Sequence, residues 1–232
     1  MAPLRITVGG SSSITRQPER GVLNLTVNGE GSTRETVSSN VTETSNELSK
    51  LFRELSLKTD ALDSEPETAV VSFSSTSLRT WRWRPLDGAN HSQALEHRGN
   101  LSFIAVFRDF TKMSEVVGKL VGYTNVDINS IGWELTDATK KALSSESRKE
   151  AMRDAVQKAN DYTEVIGRKV AAVEIEDGGN SSFGILSRRP PGLFGGNSGA
   201  PVPEPPTPLD LTPQQIQYTS SVRVIFESVT DE

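Results

Sequence analysis

The chain has 232 residues, 34% of them hydrophobic and 24% charged, and this length suits one large domain or two small ones with a buried core. Its 25 Lys and Arg residues against 30 Asp and Glu residues give a formal net charge of -5, which opposes the phosphate attraction that DNA or RNA binding needs, so we expect no nucleic-acid partner. Cysteine is absent from the sequence, which excludes disulfides, thiolate metal sites and thiol nucleophiles.

Long apolar runs are missing from the sequence. The start, from Met1 to Val8, has no stretch that resembles the apolar part of a signal peptide, and no run approaches the roughly 20 apolar residues of a membrane span. We therefore expect a cytoplasmic protein without a membrane span, or an exported protein if a leader was removed.

The first part of the chain predicts a β-hairpin followed by a helix. Extended pieces lie between Ile6 and Thr15 and over about 21–28, with Pro18 between them, so a hairpin of the two is expected. Between Thr33 and Leu55, apolar residues recur at spacings of three, four and seven, which places them on one face of an amphipathic helix. An acidic loop is expected after this helix.

The middle of the chain predicts an antiparallel pair of strands. Residues 70–83 read as one long strand with alternation that includes Val71 and Phe73, and residues 99–110 read as its partner. The segment 85–97 between them is expected to form the hairpin loop.

The following elements alternate between helix and strand. We expect a short helix over 111–121 that stops at Gly122, and then a strand over about 126–135 with a bulge near 130–132. A long helix is predicted over 137–167, with Gly167 in the left-handed conformation at its end. Its expected sheet-facing stripe consists of small or apolar residues: Ala151, Ala155, Ala159, Tyr162 and Ile166.

The last part of the chain predicts two strands around a loop. A strand is expected near 169–176 and an alternating strand over about 214–228. The segment between them, 178–213, holds many of the Pro and Gly residues and is expected to be a flexible loop.

Residues that could carry catalysis do not form a recognisable constellation. His91 and His97 fall in the predicted hairpin loop, where solvated side chains are the simpler interpretation than a metal site. Glu174 and Glu176 share one strand face and are expected to be solvent-exposed charges. The glycine clusters match no nucleotide-binding motif. We therefore expect no catalytic, cofactor or metal site.

Two tryptophans form the first candidate interaction surface. Trp81 and Trp83 lie on one face of their predicted strand, while Arg82 and Arg84 lie on the other. We expect the aromatic pair to be buried in the core or between subunits.

A Pro-rich segment is the second candidate interaction surface. It fits P-x-x-P patterns that can form a polyproline helix for SH3-like domains, although a flexible linker is the simpler interpretation. The prolines concerned are Pro203, Pro205, Pro206 and Pro208.

Three stretches of the sequence resemble one known family. The early residues 6–10 with Pro18, the helical text from Ser147 to Ala159, and the closing strand from Ile216 to Phe226 are similar to the SIMPL-domain family. The resemblance covers nearly the whole chain. Members include bacterial proteins linked to oxidative-stress defence, some of them periplasmic, and animal proteins that associate with a kinase in inflammatory signalling.

The resemblance implies an α+β fold of layered antiparallel sheets with long amphipathic helices packed on one face. We expect a single SIMPL-like domain, with two interleaved subdomains as the alternative, about 1–66 with 167–232 and about 67–166. The resemblance also implies no established catalytic site. The leading hypothesis is therefore a non-enzymatic interaction or self-assembly protein. We expect such a protein to form a homo-oligomer, to bind a protein partner, or to have a stress-related role. The alternative is a small-molecule-binding protein or enzyme that uses a groove between helix and sheet.

Overall fold

The computed structural model describes residues 4–56, 68–84, 94–178, 182–185 and 211–229. Two antiparallel sheets and three helices lie within these ranges, which confirms the α+β class. The strands are β1 Arg5–Arg16, β2 Arg20–Gly31, β3 Val70–Ser75, β4 Arg79–Trp83, β5 Glu96–Phe107, β6 Val126–Glu134, β7 Val170–Asp177, β8 Ser182–Ile185 and β9 Ile216–Ser228. The helices are α1 Arg34–Ser56, α2 Phe110–Leu120 and α3 Asp137–Ile166. None of these helices has the length and apolarity required to cross a membrane.

Contacts divide the chain into two compact units. The first is formed by chain segments 1–18 and 135–232, and the second by 19–134. The boundaries differ from the expected subdomains of about 1–66 with 167–232 and about 67–166. The reason is that α3 packs on β1 and β9, which the sequence-based grouping had assigned to the other subdomain, while α1 packs on β2 of its own group and also on β5 of the other group.

The first unit has a sheet in the order β1-β9-β7, and β8 also pairs with β9. β1 runs antiparallel to β9 along its whole length, from Arg5 opposite Glu227 to Arg16 opposite Ile216. The predicted hairpin between the first two strands is therefore wrong, because β1 pairs with the last strand of the chain and β2 pairs with β5 and β6. The alternation of buried residues in β9 matches that of β1, and the two strands, of 13 and 12 residues, face the same core.

The helix α3 covers one face of this sheet through residues spaced by four. The buried set is Leu143, Ser147, Ala151, Ala155, Ala159 and Thr163. The expected stripe was wrong at its end, since Tyr162 and Ile166 are 58% and 51% exposed. Small side chains allow a close approach: a Cβ on Gly10 would lie 2.8 Å from Ala155 N. The predicted end of the helix is confirmed, with Gly167 at φ 70°.

The second unit has a sheet in the order β3-β5-β2-β6, and β4 also pairs with β5. Helices α1 and α2 bury their apolar residues against this sheet. The centre of the core is aromatic: the Phe52 ring on α1 lies 6.1 Å from Phe103 and 6.3 Å from Phe107, both on β5, and 5.7 Å from Phe73. The order of helix and strands agrees with the expected elements.

Two strands of the second unit differ in detail from the prediction. The expected strand over 70–83 is divided into β3 and β4, which pair with different parts of β5, and a register shift after Val70 buries that residue and exposes Val71. In β6, Asn24 lies opposite Ser130 and Leu25 opposite Ile128, so the extra residue is at 129, one position before the expected bulge.

Among the residues of the predicted loop over 178–213 that the structure describes, 182–185 form a short strand. β8 pairs with the first half of β9, with Phe183 opposite Tyr218. Their rings lie 4.4 Å apart. Residues 179–181 and 186–210 lie outside the described ranges, so the flexibility expected of this segment stays a prediction.

Candidate interaction surface

The tryptophans Trp81 and Trp83 lie on β4 at one edge of the second unit's sheet. β4 pairs with β5, with Trp81 opposite Arg98 and Trp83 opposite Glu96. Residues directly opposite each other in an antiparallel pair point to the same face. Gly99, one residue further along β5, faces Val37 of α1. Both tryptophans therefore lie on the face turned away from α1.

Exposure of the two rings decides between the expected locations. Trp81 is 44% exposed and Trp83 is 39% exposed, so the expectation of burial in the core is wrong for the single chain. The reason is that α1 covers the opposite face of the sheet. Burial between subunits stays a prediction. We call this pair of rings on the outer face of β4 the Trp81/Trp83 surface.

An arginine fixes the position of one ring. The Arg98 guanidinium carbon lies 3.8 Å from the centroid of the Trp83 ring, and Arg98 Nη2 lies 3.0 Å from Glu30 Oε1. Glu30, Arg98 and Trp83 thus connect β2, β5 and β4 across the sheet. A cation-π contact of this kind contributes about 0.5–1 kcal/mol at an exposed site. The ring is therefore held against Arg98 on the outer face of the sheet.

Positive charge surrounds the aromatic pair along β4. Arg79, Arg82 and Arg84 are all exposed. Arg82 lies opposite His97 and therefore on the α1 side of the sheet, while Arg79 shares the outer face with the tryptophans. This edge strand presents aromatic and cationic groups together, a combination typical of contact residues in protein interfaces.

Within the part of the chain that the structure describes, Trp81 lines two open clefts. The larger has a volume of about 730 Å³ and lies beside α1, where β2 extends past the start of β6. Its lining is mostly polar: Asn28, Gly29, Glu30, Asn40, Glu43, Thr44, Trp81, Arg98, Gly99, Thr124, Asn125 and Asp127. The smaller, of about 590 Å³, lies at the start of α1 and includes His97 and Arg82. Such linings can hydrogen-bond a polar small molecule.

The other sequence-predicted candidates are not brought together. His97 belongs to β5 and not to the expected loop, because the strand pairing begins at Glu96. His91 and the prolines Pro203, Pro205, Pro206 and Pro208 lie outside the described residues. Within the described ranges, no group of three or more His, Cys, Asp or Glu side chains is arranged to hold a metal ion.

The predicted carboxylate pair on β7 is exposed, as expected. Glu176 lies opposite Arg223, with Oε2 of the carboxylate 3.8 Å from Nη1, and Glu174 Oε2 lies 3.9 Å from Arg5 Nη2. Both pairs are exposed and long, so each contributes little to stability. The two carboxylates do not face a cavity among those described.

Comparison with known proteins identifies the family. Residues 6–226 match the SIMPL family, described as proteins of unknown function (DUF541). The match spans nearly the whole chain, so the protein belongs to this family. No curated protein matches the chain.

Proposed function

We propose that this member of the SIMPL family is a non-enzymatic interaction and self-assembly protein whose contact is made by the Trp81/Trp83 surface. The observation that carries the proposal is the exposure of two tryptophan rings side by side on an edge strand, at 44% and 39%. Large exposed aromatic patches are typical of protein interfaces, because tryptophan buries much apolar area at a small cost in side-chain entropy.

Burial of the two rings accounts for part of the association energy. Tryptophan side chains offer about 250 Å² each, so the exposed fractions leave roughly 200 Å² to be covered. At about 25 cal/mol per Å², this burial contributes about 5 kcal/mol. Association costs on the order of 4–15 kcal/mol, so the rings alone offset no more than the low end of this cost. Further contacts must come from the strand that carries them.

The edge of β4 supports such contacts. Among the described residues, β4 pairs with β5 on one side and with no strand on the other. Backbone N–H and C=O groups on a free strand edge can add a strand from another chain. Strand addition would extend the sheet beside the tryptophans and bring a second chain against their rings.

A second function has support from the larger cleft. The 730 Å³ volume beside α1 is the kind of helix-sheet groove that a small-molecule-binding protein or an enzyme would use. Native mass spectrometry of the purified protein distinguishes the two proposals, since a retained small molecule at one per chain supports ligand binding and a multiple of the chain mass supports self-assembly.

Replacement of the two rings by charge tests the leading proposal. We expect Trp81→Glu combined with Trp83→Glu to shift the mass measured by light scattering toward monomer, because two carboxylates would have to be buried in the contact. Far-UV circular dichroism should stay native, since both rings lie on an exposed face.

The matched control carries the same two charges elsewhere in the second unit. Val121 and Tyr123 are 71% and 37% exposed, and Val121→Glu with Tyr123→Glu should leave the mass of the assembly unchanged. A wild-type protein that stays monomeric at high concentration would refute self-assembly. If the tryptophan variant unfolds while the control variant stays folded, the two rings have a structural role instead.

A further inference from the structure

One edge of the first unit's sheet is closed by side chains of α3. Asp154 Oδ2 accepts a hydrogen bond of 2.8 Å from Ser11 N, and Lys158 Nζ donates one of 3.0 Å to Gly9 O. Lys158 Nζ and Asp154 Oδ2 are themselves 2.7 Å apart. The backbone groups of β1 that point away from β9 are therefore already bonded here, which prevents another strand from adding at this position.

The opposite edge of the same sheet is open over β7. Within the described residues this strand pairs with β9 alone, and every residue from 171 to 177 is exposed. Its apolar side chains Val173 and Ile175 are 55% and 60% exposed. Ile175 lies opposite the buried Val224, so it points to the α3 side of the sheet, beyond the area that the helix covers.

The charges of β7 are the opposite of those on β4. Three carboxylates lie within four residues, at Glu174, Glu176 and Asp177, whereas β4 and the residue after it carry three arginines. β6, the other edge strand of the second unit's sheet, has carboxylates only near its two ends, at Asp127 and Glu134. Among these edges, β7 therefore offers the best charge complement to β4.

We propose that β4 of one copy adds edge to edge, in antiparallel orientation, to β7 of a second copy. This inference rests on the proposed self-assembly and names the partner of the Trp81/Trp83 surface. With Trp81 opposite Ile175, the register also places Arg82 opposite Glu174 and Arg79 opposite Asp177. Trp83 then lies at the bulge that Val173 forms in β7. Trp81 meets the apolar Ile175 on one face, and opposite charges meet at neighbouring positions over the regular part of β7, residues 174–177.

Charge also decides which strand of one copy pairs with which strand of the other. Two β4 strands would gather the arginines of both copies at one edge, and two β7 strands would gather the carboxylates of both copies, and such clusters of like charge are unfavourable. The contact therefore joins two different surfaces. A contact of this kind leaves a free β4 on one copy and a free β7 on the other, so it continues into a closed ring or an open filament rather than stopping at a dimer.

A charge-swap experiment on the full chain tests this pairing. Arg82→Glu and Glu174→Arg each place like charges opposite each other, and each should raise the concentration at which half of the assembly dissociates by about tenfold or more in sedimentation velocity. The combined variant restores opposite charges in the reverse order, and its half-dissociation concentration should return to within about threefold of wild type. Added salt should weaken the wild-type assembly.

The control uses the same charge reversals on exposed helix positions. Lys119→Glu on α2 and Glu164→Arg on α3 should leave the assembly unchanged. If the combined variant dissociates as readily as the single ones, or if the single ones assemble like wild type, the β4–β7 pairing is wrong. In that case, self-assembly through the tryptophans still stands if the assembly of the Trp81→Glu, Trp83→Glu double variant dissociates. A monomeric wild type overturns both proposals.

Discussion

Gly10 is the position where a single added methyl group should disturb the first unit most. A Cβ built there would lie 2.8 Å from Ala155 N and 2.9 Å from Ala155 Cβ, and closer still to the carbonyl oxygen of Ala151. Two of these three atoms belong to the backbone of α3, which cannot rotate away as a side chain can. We therefore expect Gly10→Ala to push α3 away from β1.

The expected loss follows from two opposing effects. Overpacking of a close-packed contact costs about 1–3 kcal/mol, and backbone obstacles place this site near the upper value. Alanine in a strand recovers about 0.5–1 kcal/mol relative to glycine. The net loss is about 2 kcal/mol, which corresponds to a decrease of about 1 M in the urea midpoint for a slope near 2 kcal/mol per M.

Urea unfolding followed by circular dichroism at the helix band measures this loss. Gly9→Ala is the matched control, because the nearest atom to its added Cβ is Val222 O at 4.0 Å. We expect Gly9→Ala to keep or slightly raise the wild-type midpoint. Equal midpoints for the two variants would refute the argument that α3 lies in direct contact with the strand at Gly10.

Two further predictions concern one side chain in each unit. Hydrogen bonds from Lys158 and from Ser11 N lower the pKa of Asp154 below its ordinary value of 3.8, so its stabilising effect is present above that pH and is lost as the pH falls through the folded pKa. Asp154→Asn should therefore lower the urea midpoint at pH 7, and the difference between the wild-type and variant midpoints should shrink below pH 3.8. A difference that stays constant with pH would contradict this. Phe52→Ala should cost about 3–5 kcal/mol, since the ring is fully buried among three others. Tryptophan fluorescence reports the unfolding, and Val121→Ala at an exposed position is the control. A loss of unfolding free energy under about 1 kcal/mol for Phe52→Ala would show that the site collapses around the missing ring.

The candidate surface was predictable in part. Alternation along β4 correctly placed Trp81 and Trp83 on one face. Their exposure was not predictable, because alternation does not say which face a helix will cover. The partnership of Arg98 with Trp83 and Glu30 was also missed, since these residues lie on three strands whose alignment has no local signal. Whether the surface binds a second chain stays a proposal.

Local periodicity in the sequence determined the helices and the last strand. The spacings of three and four predicted α1 and α3 to within about one residue at each end, and the alternation from Ile216 onward predicted β9. Gly167 marked the end of α3, because its left-handed φ of 70° suits glycine. Each of these signals acts over neighbouring residues and is therefore present in the sequence itself.

Tertiary structure alone decided which strands pair. β1 and β2 are neighbours in the chain with a proline between them, and a local interpretation joined them in a hairpin, whereas β1 pairs with β9 at the far end of the chain. Backbone N–H and C=O groups are alike at every position, so they do not specify which strand they will pair with. The pairing is determined by which strands can bury their apolar faces together under α3, and that condition exists only once the helix has packed.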